Sequence, residues 1–199
     1  MCLLFETIRL KDGNFCNLRY HSERMNNARK ILFKSDNDID LQSVLSIPVN
    51  CKKGIYKCRV DYDHSIRKID FTPYEARKVS TLQLVYDNDI SYSFKYADRT
   101  RFEELKKQAK ADEILIVKNG FITDTSFSNI IFFDGYEWIT PSTPLLRGTK
   151  RQQLLDGKAI HEKTIVTTDL RHFVKAMLIN AMLDFENGGE IEMGNIIGI

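Results

Sequence analysis

The sequence predicts an α+β fold rich in hairpins. Stretches in which apolar and polar residues alternate, the period of a half-buried strand, recur along the chain. Asp12-Gly13, Asn119-Gly120 and Asp134-Gly135 fall between such stretches, and each dipeptide signals a two-residue hairpin turn. Segments with apolar residues three and four apart, the period of a helix, are interleaved with them.

Taken in order, "LLFETIRLKDGNFCNLRY" reads as two strands around Asp12-Gly13. Ser22 can cap a helix in which Met25, Ala28 and Leu32 form the apolar stripe. "SDNDIDLQSVLSI" reads as a loop and a short helix. "GIYKCRVDYD", "IRKIDFTPYE" and "VSTLQLVYDND" read as strands separated by polar turns. Pro73 makes a seam there, predicting a small α/β domain over residues 1–76 and a larger one over 77–199. In "ISYSFKYADR", Ile90, Tyr92 and Phe94 alternate with serines, so a strand is predicted to run up to Lys95. The period then changes. Phe102, Leu105 and Ala109 share one helical face, and Glu103 and Glu104 precede Lys107 for supporting pairs. "EILIVKNGFITDTSFSNIIFFDGYEWITP" reads as a meander, "GTKRQQLLD" as a helix opening at a glycine, and "TTDLRHFVKAMLINAML" as a capped helix running into a strand.

Composition narrows the function classes. With 199 residues, 43% of them hydrophobic, the chain can bury the core of one domain or two small ones. A net charge of +2, with acids and bases interleaved, argues against a nucleic-acid partner. No apolar run approaches a membrane span. Cys2, Cys16, Cys51 and Cys58 stand without C-x-x-C pairs, and the sequence shows no signal peptide, which predicts reduced thiols and a cytoplasmic location. His21, His64, His161 and His172 show no metal-ligand spacing.

Four places could carry chemistry. Lys95 is an amine at the end of an aromatic, apolar run, where lost hydration would make it a nucleophile for a carbonyl. The commoner role of such a lysine is to snorkel at a strand end. Asp124, in "ITDTSFSNIIF", could hold a proton on a heterocyclic nitrogen, or could simply bond nearby turn amides. In "TPSTPLLRGTKRQQLL", a glycine opens a helix with Thr149 and Lys150 behind it. That offers backbone amides, a hydroxyl and a positive charge to a phosphate, or a well-capped helix start. Arg24 follows His21 by three residues and could reach a phosphate bidentately, or remain a solvated surface cation.

The order and spacing of these elements resemble one family, the class IV aminotransferases, which are pyridoxal-phosphate enzymes of fold type IV. "LFETIRLKDG" resembles its F-E-T-hydrophobic-R stretch and "HSERM" its H-x-x-R-L element. "FKYADR" is similar to the lysine segment, best in the K-x-x-N-R form of the 4-amino-4-deoxychorismate lyases. "ADEILIVKNGFITDTSFSNIIF", "TPSTPLLRGTKR" and "LINAML" follow in the family's order. The resemblance covers most of the chain. It implies a two-domain, D-amino-acid aminotransferase-like architecture with pyridoxal 5'-phosphate in the cleft between the domains, a small-molecule amino substrate, and a homodimer. It implies that Lys95 forms a Schiff base with the cofactor and then shuttles the substrate proton. Arg24, Thr149 and Lys150, and Asn180 with Ala181 would bind the phosphate, and Asp124 would face the pyridine nitrogen. The implied activity is that of a 4-amino-4-deoxychorismate lyase. An amino-acid aminotransferase, with Arg59 as a contact for the substrate carboxylate, is the alternative, and a non-catalytic scaffold is the third reading. Arg59 would otherwise be a cation at a strand edge. Three features depart from the family pattern: aspartate stands at position 124 where glutamate is usual, Lys150 stands on a threonine position, and the chain starts almost at "FETIR".

Overall fold

The structure, a computed structural model, describes residues 3–183, 185 and 189–198. Strand β1 (Leu4–Lys11) turns into the short β2 (Asn14–Phe15), with Leu10 opposite Phe15 and Lys11 opposite Asn14. Asp12 and Gly13 both have positive φ (46° and 76°), which a type I′ turn requires and which Asp and Gly tolerate. Helix α1 (Leu18–Phe33) begins at Asn17, in the left-handed region, so Ser22 lies inside the helix rather than capping it. A tertiary contact accounts for the earlier start: the added turn carries His21, whose ring is bonded to Glu6 of β1. A second helix, α2 (Leu41–Val44), is capped by Asp40, whose carboxylate accepts the Gln42 amide at 2.9 Å. Strands β3 (Ile55–Tyr62) and β4 (Ile66–Pro73) complete a sheet of order β2-β1-β3-β4.

The chain divides into two compact units, Met1–Ala76 with Phe94–Asp98, and Arg77–Ser93 with Arg99–Ile199. The core of the first unit collects Leu4 and Ile8 of β1, Cys58, Val60 and Tyr62 of β3, Met25 and Ala28 of α1, and Leu41 and Leu45. Side chains alternate across a strand. Glu6, fully buried, therefore shares the core face with Leu4 and Ile8, while Phe5, Thr7 and Arg9 take the other face.

The second unit contains two sheets. One has the order β13-β5-β6-β7, built from β5 (Leu82–Tyr86), β6 (Glu113–Lys118), β7 (Phe121–Thr125) and β13 (Ile196–Ile197). The other has the order β10-β9-β8-β11-β12, from β8 (Asn129–Phe133), β9 (Trp138–Pro141), β10 (His161–Lys163), β11 (Lys175–Ile179) and β12 (Glu190–Glu192). Leu82, Leu115, Val117 and Ile122 of the first pack with Ile130, Phe132, Ala176 and Leu178 of the second. Helices α3 (Thr100–Lys107) and α4 (Thr149–Asp156) belong to this unit.

Four local expectations are corrected. Residues 90–94 form no strand. Ile90 and Tyr92 are buried as the alternation requires, but side chains take the Ile90 backbone groups: Asp87 accepts its amide at 3.2 Å and Lys118 donates to its carbonyl at 2.5 Å. The meander breaks after Thr125, since β7 and β8 belong to different sheets. A tight turn, with the Thr125 amide bonded to the Ser128 carbonyl at 2.9 Å, redirects the chain there. Ala109 lies past the end of α3, whose buried face is Phe102 and Leu105. The helix predicted before β11 is a 3-10 turn, Thr167–His172; the β-branched residues around it disfavour a longer α-helix.

Candidate active site

Lys95 returns the chain to the first unit, beside the start of β1. Its carbonyl accepts the Phe5 amide at 3.0 Å, the Ala97 amide bonds the Leu3 carbonyl at 2.8 Å, and Leu4 bridges Tyr96. These bonds fix the backbone on both sides of the lysine. The Lys95 Nζ lies 4.7 Å from the centroid of the Phe5 ring, and the Arg59 Cζ lies 4.0 Å from the same centroid. Lys95 and Arg59 thus both stand against the Phe5 ring. The register explains why, because β1 and β3 set Phe5 opposite Asp61 and Thr7 opposite Arg59.

Arg24 stands on the other side of β1. Its Nε donates to Glu6 Oε1 at 2.9 Å and its Nη2 to Glu6 Oε2 at 2.5 Å, while His21 Nδ1 meets the same Oε2 at 2.6 Å. Burial by itself would push the Glu6 carboxyl up; the charge of Arg24 and the His21 hydrogen bond outweigh it and hold the group down at about 2. Burial lowers the His21 pKa, so its ring is neutral. Arg24 keeps an outer edge, its side chain 17% exposed. Sequence reading passed over Glu6 and His21. Their signal was present in the F-E-T and H-x-x-R spacings, one strand position against one helical turn.

The remaining candidates lie in the second unit, where Asp124 is bonded to Asn129 and to the Leu146 segment. Asp124 Oδ1 accepts from Asn129 Nδ2 at 2.7 Å and Oδ2 accepts the Leu146 amide at 2.9 Å. Burial raises its carboxyl to about 6, against the opposing pull of the Leu146 amide, Asn129 and the charge of Arg151. The expectation of a turn aspartate serving its own neighbours therefore gives way to a buried carboxyl tied across 22 residues. Asn129 also donates to the Leu146 carbonyl at 2.8 Å, binding the strand that follows Asp124 to the loop that precedes α4.

That loop ends at Gly148. A Cβ placed there would stand 2.0 Å from Asn129 Oδ1, so glycine is required by close approach. The first-turn amides of a helix have no intrahelical acceptor, and Gly148 offers no side chain to cap them. Thr149 is buried, and the Lys150 Nζ bends along the helix to Gln153 Oε1 at 3.2 Å, which directs its charge away from the helix start. Asn180 is held by Ser128, the chain neighbour of Asn129: its Nδ2 donates to Ser128 Oγ at 2.8 Å, and its Oδ1 accepts the Met182 amide at 2.8 Å. Ala181, half-buried, follows in the same turn. Asn129 and Ser128 lie within "SFSN" without a signal of these roles, because side-chain bridges between distant segments leave no periodic trace. Gly148→Ala is expected to cost about 3 kcal/mol, from overpacking plus the displaced Asn129 bonds. Denaturant unfolding measures it, and a cost below about 1 kcal/mol would mean that Asn129 moves aside freely.

The model of the amino-transferase class IV family matches residues 3–185. An uncharacterized protein of Haemophilus influenzae is 39% identical over 182 residues, 90% of this chain and 97% of its own length. Among solved structures, a proposed 4-amino-4-deoxychorismate lyase of Haemophilus somnus 129PT is 35% identical, with a TM-score of 0.85, over 92% of this chain and 97% of that one. A hypothetical aminotransferase of Mycobacterium tuberculosis in its PLP-bound form shares the fold alone, at 16% identity and a TM-score of 0.76 over 95% of this chain and 80% of that one. The chain belongs to the class IV aminotransferase family, with the fold type IV architecture of pyridoxal-phosphate enzymes. Its family acts on small amino substrates. No helix among the described residues is long and apolar enough to cross a membrane.

Proposed function

We propose that the chain is a pyridoxal-phosphate-dependent 4-amino-4-deoxychorismate lyase, releasing pyruvate and leaving 4-aminobenzoate for folate synthesis. The observation that carries this choice is the likeness, at 35% identity over 92% of the chain, to a structure proposed to have that activity. The "KYADR" and "LINAML" segments point the same way.

The residues fit the cofactor. A buried carboxyl on Asp124 offers oxygens to a protonated pyridine nitrogen, and the helix start at Gly148 offers amides to a phosphate without a competing cap. Bound pyridoxal phosphate would supply an electron sink for the carbon bearing the substrate's amino group. In this reading Lys95 carries the reactive amine, then takes the proton from that carbon and returns it. Asp124 holds the proton on the ring nitrogen. Arg24, the Thr149 and Lys150 amides, and Asn180 with Ala181 hold the phosphate. Asp124 has a shorter reach than the family glutamate, and the Leu146 and Asn129 bonds fix where it ends.

The second reading, an amino-acid aminotransferase, is favoured by one observation: Arg59 shares the Phe5 ring with Lys95, where it could meet an amino acid's carboxylate. A homodimer and a cytoplasmic location belong to the same proposal, supported by the family likeness and by the free thiols of Cys16, Cys51 and Cys58; Cys2 lies outside the described residues.

Purification with pyridoxal phosphate is expected to give a visible absorption band of the protein-bound cofactor. Its absence would remove the cofactor reading. With the band present, pyruvate release from aminodeoxychorismate without added keto acid supports the lyase. Turnover that requires a keto-acid acceptor replaces it with the aminotransferase.

A further inference from the structure

We infer that Arg99 and Glu113 are positioning residues, a two-sided clamp on the Ser126 amide and carbonyl that aims Asp124 and seats Asn180. The inference rests on the reading that pyridoxal phosphate binds with its ring nitrogen at Asp124 and its phosphate at Asn180.

The clamp closes on the turn that links β7 to β8. Three bonds tie the base of that turn. The Thr125 amide and hydroxyl both donate to the Ser128 carbonyl, at 2.9 and 3.0 Å, and the Ser128 amide donates to the Thr125 hydroxyl at 3.0 Å. Asp124 stands directly before this base and Asn129 directly after it, joined at 2.7 Å, while Ser128 Oγ accepts from Asn180. A tilt of the turn would therefore displace both ends of the candidate site together. Ser126 is buried near the tip, and buried peptide groups need partners. Both of its partners are remote side chains: the amide donates to Glu113 Oε1 at 3.3 Å, and the carbonyl accepts from Arg99 Nη2.

Each jaw is itself held. Glu113, at the start of β6, has no exposed surface. Its Oε1 also accepts the Ile114 amide at 2.9 Å, and its Oε2 accepts from Lys106 Nζ at 2.9 Å. Arg99 Nη1 donates to the Tyr92 hydroxyl at 3.2 Å, and its Cζ lies 4.6 Å from the centroid of the Phe102 ring. That ring meets Tyr92 edge-on, with 4.8 Å between centroids. All of these residues belong to the second unit. A buried carboxylate with its cation adds little net stability, so a turn that only reverses the chain gains little from one. What charged partners do supply is short, directional bonds, which suit a turn whose position matters.

Two measurements test the inference. Without cofactor, amide hydrogen exchange of residues 125–129 should accelerate at least about ten-fold in Arg99→Met and in Glu113→Gln. Arg99→Met keeps an apolar chain against Phe102 and removes the donors. The second measurement is discrimination among cofactor analogues, read as dissociation constants. The parent should bind pyridoxal phosphate more tightly than the analogue with carbon in place of the ring nitrogen, and more tightly than pyridoxal. In both variants both preferences should fall about ten-fold, as misaimed contacts at the two ends require. A merely structural loss would weaken all three ligands alike and leave the ratios unchanged. Arg99→Lys, which keeps a donor for the Ser126 carbonyl, should recover part of each preference. Thermal unfolding of each variant confirms folding, and if Glu113→Gln does not fold, the two Arg99 variants decide the matter. Unchanged exchange, or ratios within about two-fold of the parent in a folded variant, overturns the inference, as does a fall in one ratio alone. A parent that binds the analogues as tightly as pyridoxal phosphate would instead sink the reading beneath it.

Discussion

Lys95→Ala is expected to lower turnover by at least about 10⁴-fold, which corresponds to about 5 kcal/mol of transition-state stabilisation. The same change should alter the unfolding free energy by less than about 1 kcal/mol. The large effect follows because one amine is asked to do two things. It is the attachment point for the cofactor's aldehyde, and it is the base for the substrate proton. General acid–base catalysis by a positioned group contributes on the order of 10²–10⁴-fold, and loss of the nucleophile adds to it. The small effect on stability follows from what the segment contributes to the fold. The Phe5 amide is bonded to the Lys95 carbonyl, which alanine keeps, and the Ala97 and Leu3 backbones pair independently of the side chain. The side chain itself stands half-buried over the Phe5 ring. Steady-state turnover and denaturant unfolding of the two proteins check both halves. A variant within ten-fold of the parent would show that the reaction centre lies elsewhere.

Much of this architecture was legible because turns and periods are local signals. Asp12-Gly13 marked a hairpin from two residues, since few other pairs tolerate consecutive positive φ. The apolar stripe of Met25 and Ala28 marked α1. Where local signals and tertiary demand disagreed, tertiary demand won. Ser22 has good capping chemistry, but the helix extends back to Asn17 and places His21 on Glu6. Ile90 and Tyr92 have strand periodicity, but a strand also needs ladder partners, and Asp87 and Lys118 had taken the Ile90 groups. The candidate site was legible as a set of residue types and only partly as a mechanism. Lys95 could be picked out as a charge in apolar surroundings, Asp124 by its place at a strand and turn, and Arg24 by its spacing from His21. The residues that orient them could not, because their bonds span 15 residues for Glu6 to His21 and 22 for Asp124 to Leu146. Such contacts have no period. They are set by strand register, which no single segment encodes.

Glu6→Gln is expected to destabilise the protein by about 3 kcal/mol and to flatten its acid unfolding. Glu6 accepts three bonds on two oxygens, from Arg24 Nε, Arg24 Nη2 and His21 Nδ1, with no exposed surface of its own. Glutamine keeps the volume but presents one acceptor oxygen, and its amide would face a donor. Removing one partner of a buried ion pair costs about 3–5 kcal/mol, and the partial exposure of Arg24 places this case at the lower end. The titration points to the same size. A carboxyl held at about 2 against an ordinary 4.5 stabilises the ionised folded state by about 3 kcal/mol at neutral pH. Because the folded value is the lower one, that contribution is present above pH 4.5 and is lost as the pH falls towards 2. His21 acts in the same direction from a higher pH, since a buried neutral ring binds its proton less readily than the unfolded chain does. Asp124 opposes both: its raised value of about 6 means that the folded state gains stability as the pH falls from 6 towards 3.8. The parent should therefore lose stability steeply only below about pH 3.8, where Asp124 no longer offsets Glu6. In Glu6→Gln the loss between pH 4.5 and 2 should shrink by about the same 3 kcal/mol. Urea unfolding at a series of pH values measures it. An unchanged acid slope in the variant would assign the effect to other carboxylates and leave Glu6 as packing alone.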